Sequence, residues 1–302
     1  MSIAAGPKAD NPKLAVALIL FAVLVLAVGD ALVKALSGSL VLWQIFVLRS
    51  ALAVVALLAI WRRGFPSLCL RPQFPGWTIL RSTLLVAMWI AYYVSLPHLQ
   101  FAVAAAAFYT LPIFITLFAA AFAGERVTRR GWCAVALGFG GVVLILRPSA
   151  GGFNAYALLP LLSAVLYALA MVLTRTKCRN EHPLILSGSL NLAFIVTGLV
   201  ATLALGLIDI APSPFLAAAW APLGGREVLA IVLLATVVLL ASVGAAAAYQ
   251  IGRASLVASF DIAYVAFAAL CGLVFFGEVP APSALGGMLM IVVAGAMALR
   301  QS

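Results

Sequence analysis

Residues 14–36 read LAVALILFAVLVLAVGDALVKAL, an apolar run broken only by Asp30 and Lys34. An α-helix rises 1.5 Å per residue, so roughly 20 such residues cross the hydrocarbon core of a bilayer. A run this long, without alternation of apolar and polar residues, reads as a membrane-spanning helix rather than a strand. It follows a polar start, Met1 to Lys13, as the apolar part of a secretory signal would. No clear small-residue cleavage site closes it, and further spans follow, so we read it as a retained first helix.

The pattern recurs nine more times, at 41–61, 77–96, 101–123, 130–147, 156–175, 183–207, 227–249, 254–276 and 281–299. Turn or charge signals separate the runs: Ser37-Gly38-Ser39, Arg62-Arg63-Gly64, Pro97-His98, Gly124-Glu125-Arg126, Pro148, Arg175 to Glu181, and Arg253. The chain is 66% hydrophobic and 9% charged. Soluble domains run nearer half and a quarter, and one core of this size could not hide so much apolar surface. Lipid solvates apolar faces but requires every backbone polar group to be paired internally, which leaves helices or closed barrels. Barrel strands would alternate, and these runs do not. The expected fold is all-α and integral to the membrane.

Orientation follows from Lys and Arg. With ten spans and a cytoplasmic N-terminus, fourteen of the 18 basic residues fall inside and only Arg147 and Arg226 outside, while Lys34 and Arg49 stay within spans. That asymmetry predicts both termini in the cytoplasm and a multi-pass protein of a bacterial-type inner membrane. It also explains the net charge of +10 without nucleic acid, since no basic patch interleaves with aromatics. Cys69, Cys133, Cys178 and Cys271 are scattered, with no metal-ligand spacing.

An internal echo is present. Gly124-Glu125 closes the fourth span and Gly277-Glu278 the ninth, and each is followed, at the same distance, by Leu-Arg: Leu146-Arg147 and Leu299-Arg300. We read two five-helix repeats, 1–153 and 154–302. Five is odd, so the second is inverted relative to the first, an architecture of secondary transporters.

The paired Gly-Glu motifs, Gly29-Asp30 with Lys34, Arg49 early in the second span, and the turn from Ser95-Leu96-Pro97 to Ala102 stand in joint order across the ten spans. In this the chain resembles the drug/metabolite transporter superfamily, in particular its EamA-type members. Within that group it looks most like bacterial amino-acid exporters, the aromatic branch included. The resemblance implies export of a small metabolite, and the family's substrates range over amino acids, nucleotide sugars, metabolites and drugs.

Ionisable groups within spans are costly and mark sites by default. Asp261 lies about eight residues into the ninth span, with Tyr264 one turn on along the same face. It could bind a substrate amine or a coupling proton, or serve as a structural carboxylate. Asp30 and Lys34 are four apart, and Arg49 is expected at similar depth. They read as a structural pair, Asp30–Lys34 or Asp30–Arg49, or as a gate whose cation meets a substrate carboxylate. Trp89, Tyr92 and Tyr93 share a helix face and suit either a lipid-interface belt or, for Tyr92, a cavity wall. Tyr109 precedes Pro112, which frees a helix carbonyl, so Tyr109 is a second lining candidate; Tyr167 is a weaker one. Asn191, Tyr249 and Gln250 read as helix–helix hydrogen bonds, and Glu125 and Glu278 as caps or loop anchors.

Catalytic and nucleotide motifs are absent: no HExxH, GxSxG or Walker sequence occurs. The chain is expected to be no enzyme, to need no cofactor and to work as a monomer or weak dimer. Its expected partners are the bilayer and a small-molecule substrate, an amino acid or related amine, with protons as a candidate coupling ion. A passive channel or a lipid-modifying enzyme are the competing readings. A channel would favour a charged ring or filter, and an enzyme a polar cluster at one face; neither is written here.

Overall fold

The computed structural model describes residues 12–64, 72–111, 113–114, 117–118, 129–146, 154–178, 181–208, 213–217, 219–251, 260 and 262–299. These form ten α-helices: α1 Pro12–Leu36, α2 Leu42–Gly64, α3 Pro75–Ser95, α4 Phe101–Phe108, α5 Arg129–Leu146, α6 Leu158–Lys177, α7 Pro183–Ile208, α8 Gly225–Ile251, α9 Ala263–Phe276 and α10 Pro282–Leu299. No strand occurs among the described residues. Pro12, Pro75, Pro183 and Pro282 stand first in their helices, where a missing N–H costs nothing and the fixed φ is already helical. Five of the helical segments are long and apolar enough to cross a membrane. Their flanks expose large side chains, among them Leu203 and Leu207, that water would not tolerate in such numbers.

Short connections set the register. The turn expected at 96–101 is a 3₁₀ segment, Leu96–His98, whose His98 ring stacks on Tyr156. Asn154 donates to the His98 carbonyl and accepts from the Tyr156 N–H, tying the start of the sixth span to the end of the third.

The main helix contacts are α5 with α10, α1 with α8, α3 with α6, α2 with α7, α1 with α9, α4 with α6, α4 with α9, α2 with α8 and α3 with α7. Exchanging each helix with the one five places along reproduces every one of these pairs. The smaller contacts α4–α10 and α3–α4 have no counterpart of similar extent among the described residues. The α5–α10 crossing brings backbone against backbone. A Cβ added to Gly141 would lie 2.7 Å from the Gly287 carbonyl oxygen, and one added to Gly287 would lie 2.6 Å from that of Gly141. Backbones that touch in this way are the small-residue packing of membrane helices, where lipid supplies no hydrophobic drive between apolar faces.

Candidate functional site

Asp30 is buried, six residues before the end of α1, so about 9 Å below that helix end. Gly29 beside it lets α8 press close, since an added Cβ would stand 2.8 Å from Val237 Cγ1. With α8 covering one side, the carboxylate faces α3 and α9. Tyr93 Oη donates to Asp30 Oδ1 at 3.2 Å, and Tyr264 Oη donates to Oδ2. Tyr93 Oη accepts from Arg49 Nη1 at 3.4 Å. The Tyr92 and Tyr264 hydroxyls lie 3.2 Å apart. Since Tyr264 spends its hydrogen on Asp30, Tyr92 is the donor there. The chain of hydrogen bonds thus runs Arg49 to Tyr93 to Asp30 from one side, and Tyr92 to Tyr264 to Asp30 from the other. Four helices converge on one acceptor.

Aromatic rings enclose this centre. Tyr109 stacks on Tyr264 with centroids 5.0 Å apart, Tyr92 meets Phe108 at 5.3 Å, and Phe108 meets Tyr167 at 5.8 Å. Trp89, half-buried, packs on Tyr93 at 4.8 Å. The Arg49 guanidinium lies 4.7 Å from the Phe194 ring and 5.6 Å from Phe46, and its buried Nε has no hydrogen-bond partner among the described residues. Cation–π contact partly replaces the lost hydration.

A second polar junction lies one turn further along α1, toward its C-terminal end. Gly277 ends α9 with a left-handed φ of 65°, which only glycine adopts freely, and the Gly277 and Glu278 N–H groups return to the Leu273 and Gly272 carbonyls. The turn folds Glu278 back over α4. Its Oε2 accepts from the Phe101 N–H at 2.6 Å, capping that helix start, and its Oε1 pairs with Lys34 Nζ at 2.5 Å. Lys34 also donates to the Leu99 carbonyl and lies 5.1 Å from the Phe276 ring. One carboxylate therefore joins α1, α4 and α9.

Four expectations are corrected by this geometry. Asp30 does not pair with Lys34, whose long stem carries its ammonium outward to Glu278. Nor does Asp30 form an ion pair with Arg49 among the described residues, because the Tyr93 hydroxyl stands between them. Tyr92 and Tyr93 are no interface belt, being 2% and 1% exposed. Asn191 bonds within its own helix, to the Ser187 carbonyl. Asp261, Pro112 and Glu125 lie outside the described residues, as do the side chains of Tyr249 and Gln250.

Sequence reasoning passed over Tyr93 and gave Glu278 too small a part. The usable signals were Tyr93's spacing of four from Trp89, and the recurrence of Gly-Glu at the same place in each half.

Helices packed around a buried polar and aromatic centre suit the handling of a small solute inside a bilayer, and comparison with known proteins agrees. The EamA-like transporter family matches residues 13–147. A riboflavin transporter of Rhizobium johnstonii is 30% identical over 258 residues, covering 80% of either chain. The pseudopaline exporter CntI of Pseudomonas aeruginosa is 28% identical over 286 residues, covering 94% of this chain and 95% of that one. A solved crystal structure covers 95% of this chain and 94% of its own, at 25% identity and a TM-score of 0.55. The class is accordingly a multi-pass membrane transporter of small metabolites, not an enzyme. The chain belongs to the EamA-like transporter family.

Proposed function

We propose that the chain is a secondary transporter of the bacterial inner membrane that exports a small amphipathic metabolite, amino acids foremost, by alternating access between two inverted repeats, 1–153 and 154–302. The observation that carries this reading is the hydrogen-bond network converging on Asp30. Its members come from both halves: Asp30, Arg49, Tyr92 and Tyr93 from the first and Tyr264 from the second. The symmetry of the helix contacts supports the repeats.

The network has the parts that an amino acid would use. Tyr93 Oη accepts from a guanidinium and donates to a carboxylate, and a zwitterion offers the same two functions in one group. Its carboxylate would go to Arg49, whose Nε is unpartnered among the described residues, and its ammonium to Asp30. Tyr109, Tyr92 and Trp89 would border the side chain, and Tyr167 the approach from α6. Asp261 is proposed as the second carboxylate of this region. The Lys34–Glu278–Phe101 junction is the outer seal, which must part for release to the periplasm. No nucleotide-binding motif is present, so a gradient of substrate or of protons supplies the drive.

A flavin-like ring is the second reading. The stacked Tyr109–Tyr264 pair and the relatives named as riboflavin transporters favour it.

The test is initial flux in proteoliposomes for a panel of amino acids and riboflavin, with and without an imposed pH gradient. Saturable amino-acid flux supports the first reading and riboflavin flux alone the second. Ion current under voltage without solute flux would favour a channel and refute both. Reporter fusions give the orientation: after Arg63 and Lys177 they should read cytoplasmic, and at Ser213 periplasmic. The opposite pattern would invert the proposed direction.

A further inference from the structure

A buried polar atom without a hydrogen-bond partner costs free energy, so it calls for a reason. Among the described residues there are six such side-chain atoms, and they fall in two places. Arg49 Nε and Ser50 Oγ are neighbours on α2, beside the Asp30 centre. Thr78 Oγ1, Arg81 Nη1, Ser82 Oγ and Glu181 Oε2 gather at the start of α3, away from that centre. Glu181 Oε1 accepts from the Phe74 N–H at 2.9 Å, which puts this carboxylate at the entrance to α3. The Phe74 carbonyl accepts from the Thr78 N–H, so Thr78 stands one turn, about 6 Å, further in. Arg81 and Ser82 follow Thr78 by three and four residues, a spacing that sets each beside it with Cβ atoms about 5–6 Å apart. Arg81 Nε donates to Thr174 Oγ1 of α6 at 2.6 Å, which holds the guanidinium at the α3–α6 seam and leaves Nη1 without an acceptor among the described residues. Thr78 and Ser82 are 1% and 2% exposed, while Trp77, Ile79 and Leu80 are exposed, so the patch lies on the interior face of α3. That face runs on through Trp89 to Tyr93 of the Asp30 network, eleven residues or about 16 Å beyond Ser82.

We propose that this patch is a second binding subsite, which takes the zwitterionic head of an exported amino acid on the cytoplasmic side before it reaches the Asp30 centre. The solute's carboxylate accepts from Arg81 Nη1 and from the Thr78 and Ser82 hydroxyls, and its ammonium donates to Glu181 Oε2. The chemistry of the patch selects this ligand. Three donors on one face, one of them a guanidinium, suit a carboxylate, since charge-assisted hydrogen bonds are the strong ones. A carboxylate oxygen one turn nearer the helix start suits an ammonium. An α-amino acid carries both groups about 3 Å apart, and a hydrogen bond of about 3 Å at each end lets it span that turn. A neutral ring system would leave both charges without a counterion. The subsite rests on the amino-acid reading given above, and its cytoplasmic position on the orientation proposed there.

The test compares the two faces of the membrane. Initial phenylalanine flux by the full chain is measured in inside-out vesicles, which present the cytoplasmic face to added solute, and in right-side-out vesicles. In inside-out vesicles Arg81→Gln should raise the half-saturating concentration about tenfold and Ser82→Ala about threefold, as expected for loss of a charged and of a neutral donor. In right-side-out vesicles both variants should stay near the native value, because solute added there meets the Asp30 centre first. Arg81→Lys should recover part of the loss, since it keeps the charge without the planar fork. Thermal unfolding reports whether each variant is folded, and if Arg81→Gln is not, Ser82→Ala and Arg81→Lys decide. A folded Arg81→Gln with native half-saturation at the cytoplasmic face would overturn the proposal. So would an equal rise at both faces, the mark of a purely structural role. A native chain that moves no phenylalanine from either face would defeat the amino-acid reading, and the subsite with it.

Discussion

The seam between α1 and α9 and the seam between α5 and α10 both join the first half of the chain to the second, yet their chemistry is opposite. The first is polar: Asp30 with Tyr264, and Lys34 with Glu278. The second is glycine against glycine, with backbone touching backbone at Gly141 and Gly287. Dispersion contacts of that kind are lost as soon as helices separate, and nothing in lipid replaces them. Hydroxyls and carboxylates can instead exchange one partner for another, water or a solute included, at small net cost. The comparison teaches where a transporter of this build opens and where it stays shut. On the proposed mechanism α5–α10 would be the fixed hinge region and α1–α9 the seam that parts.

The largest expected effect comes from removing the shared acceptor. Asp30→Leu leaves Tyr93 and Tyr264 without their acceptor and takes away the proposed ammonium site, so initial flux in proteoliposomes should fall at least about 30-fold. Asp30→Asn should retain more stability than flux. Flux equal to the native protein's in a folded Asp30→Asn would remove Asp30 from the transport cycle and leave Asp261 the stronger candidate.

Next comes the outer seal. Lys34→Glu or Glu278→Lys places like charges together, and either change alone should lower flux about tenfold. The double exchange should recover much of the loss, because the ion pair re-forms with its ends swapped. Recovery would be incomplete, since a lysine at 278 cannot accept from the Phe101 N–H. A double variant no better than either single change would show that the pair is not the seal.

Tyr264→Phe removes one hydroxyl and keeps the ring stacked on Tyr109. A hydrogen bond to a carboxylate contributes about 1.5 kcal/mol or more, so flux should fall about tenfold. If Tyr264→Phe matched Asp30→Leu in severity, the hydroxyl would be more than a support for the carboxylate.

The smallest effect on flux should come from the other seam. Gly141→Ala drives a methyl into the Gly287 carbonyl and should destabilise the fold by about 1–3 kcal/mol, lowering the melting temperature by several degrees. Flux per folded molecule should hardly change. A large loss of flux without loss of stability would mean that α5–α10 moves during transport, and the contrast between the seams would fail.

Much of this molecule was legible in one dimension. Long apolar runs cannot fold otherwise in lipid than as helices, so the ten spans and their breaks at Ser37-Gly38-Ser39 and Pro97-His98 follow from composition and length. Gly277-Glu278 marked the end of the ninth span, and rarity within spans marked Asp30, Lys34 and Arg49. Which groups meet was not legible. Lys34 is four residues from Asp30 and 244 from Glu278, and it pairs with the distant one. Local spacing ranks partners along one helix, whereas the turn at Gly277 brings in a carboxylate from the far end of the chain. Likewise, Tyr93 looked like a lipid-facing belt residue because a helix face has no sign until its neighbours are placed. Only packing against α1 and α2 put its hydroxyl between Arg49 and Asp30. The sequence determined that the chain lies in the membrane as helices, since lipid tests each segment separately. The tertiary structure decided which polar groups share the interior, since a buried acceptor takes whatever donors the packing brings within reach.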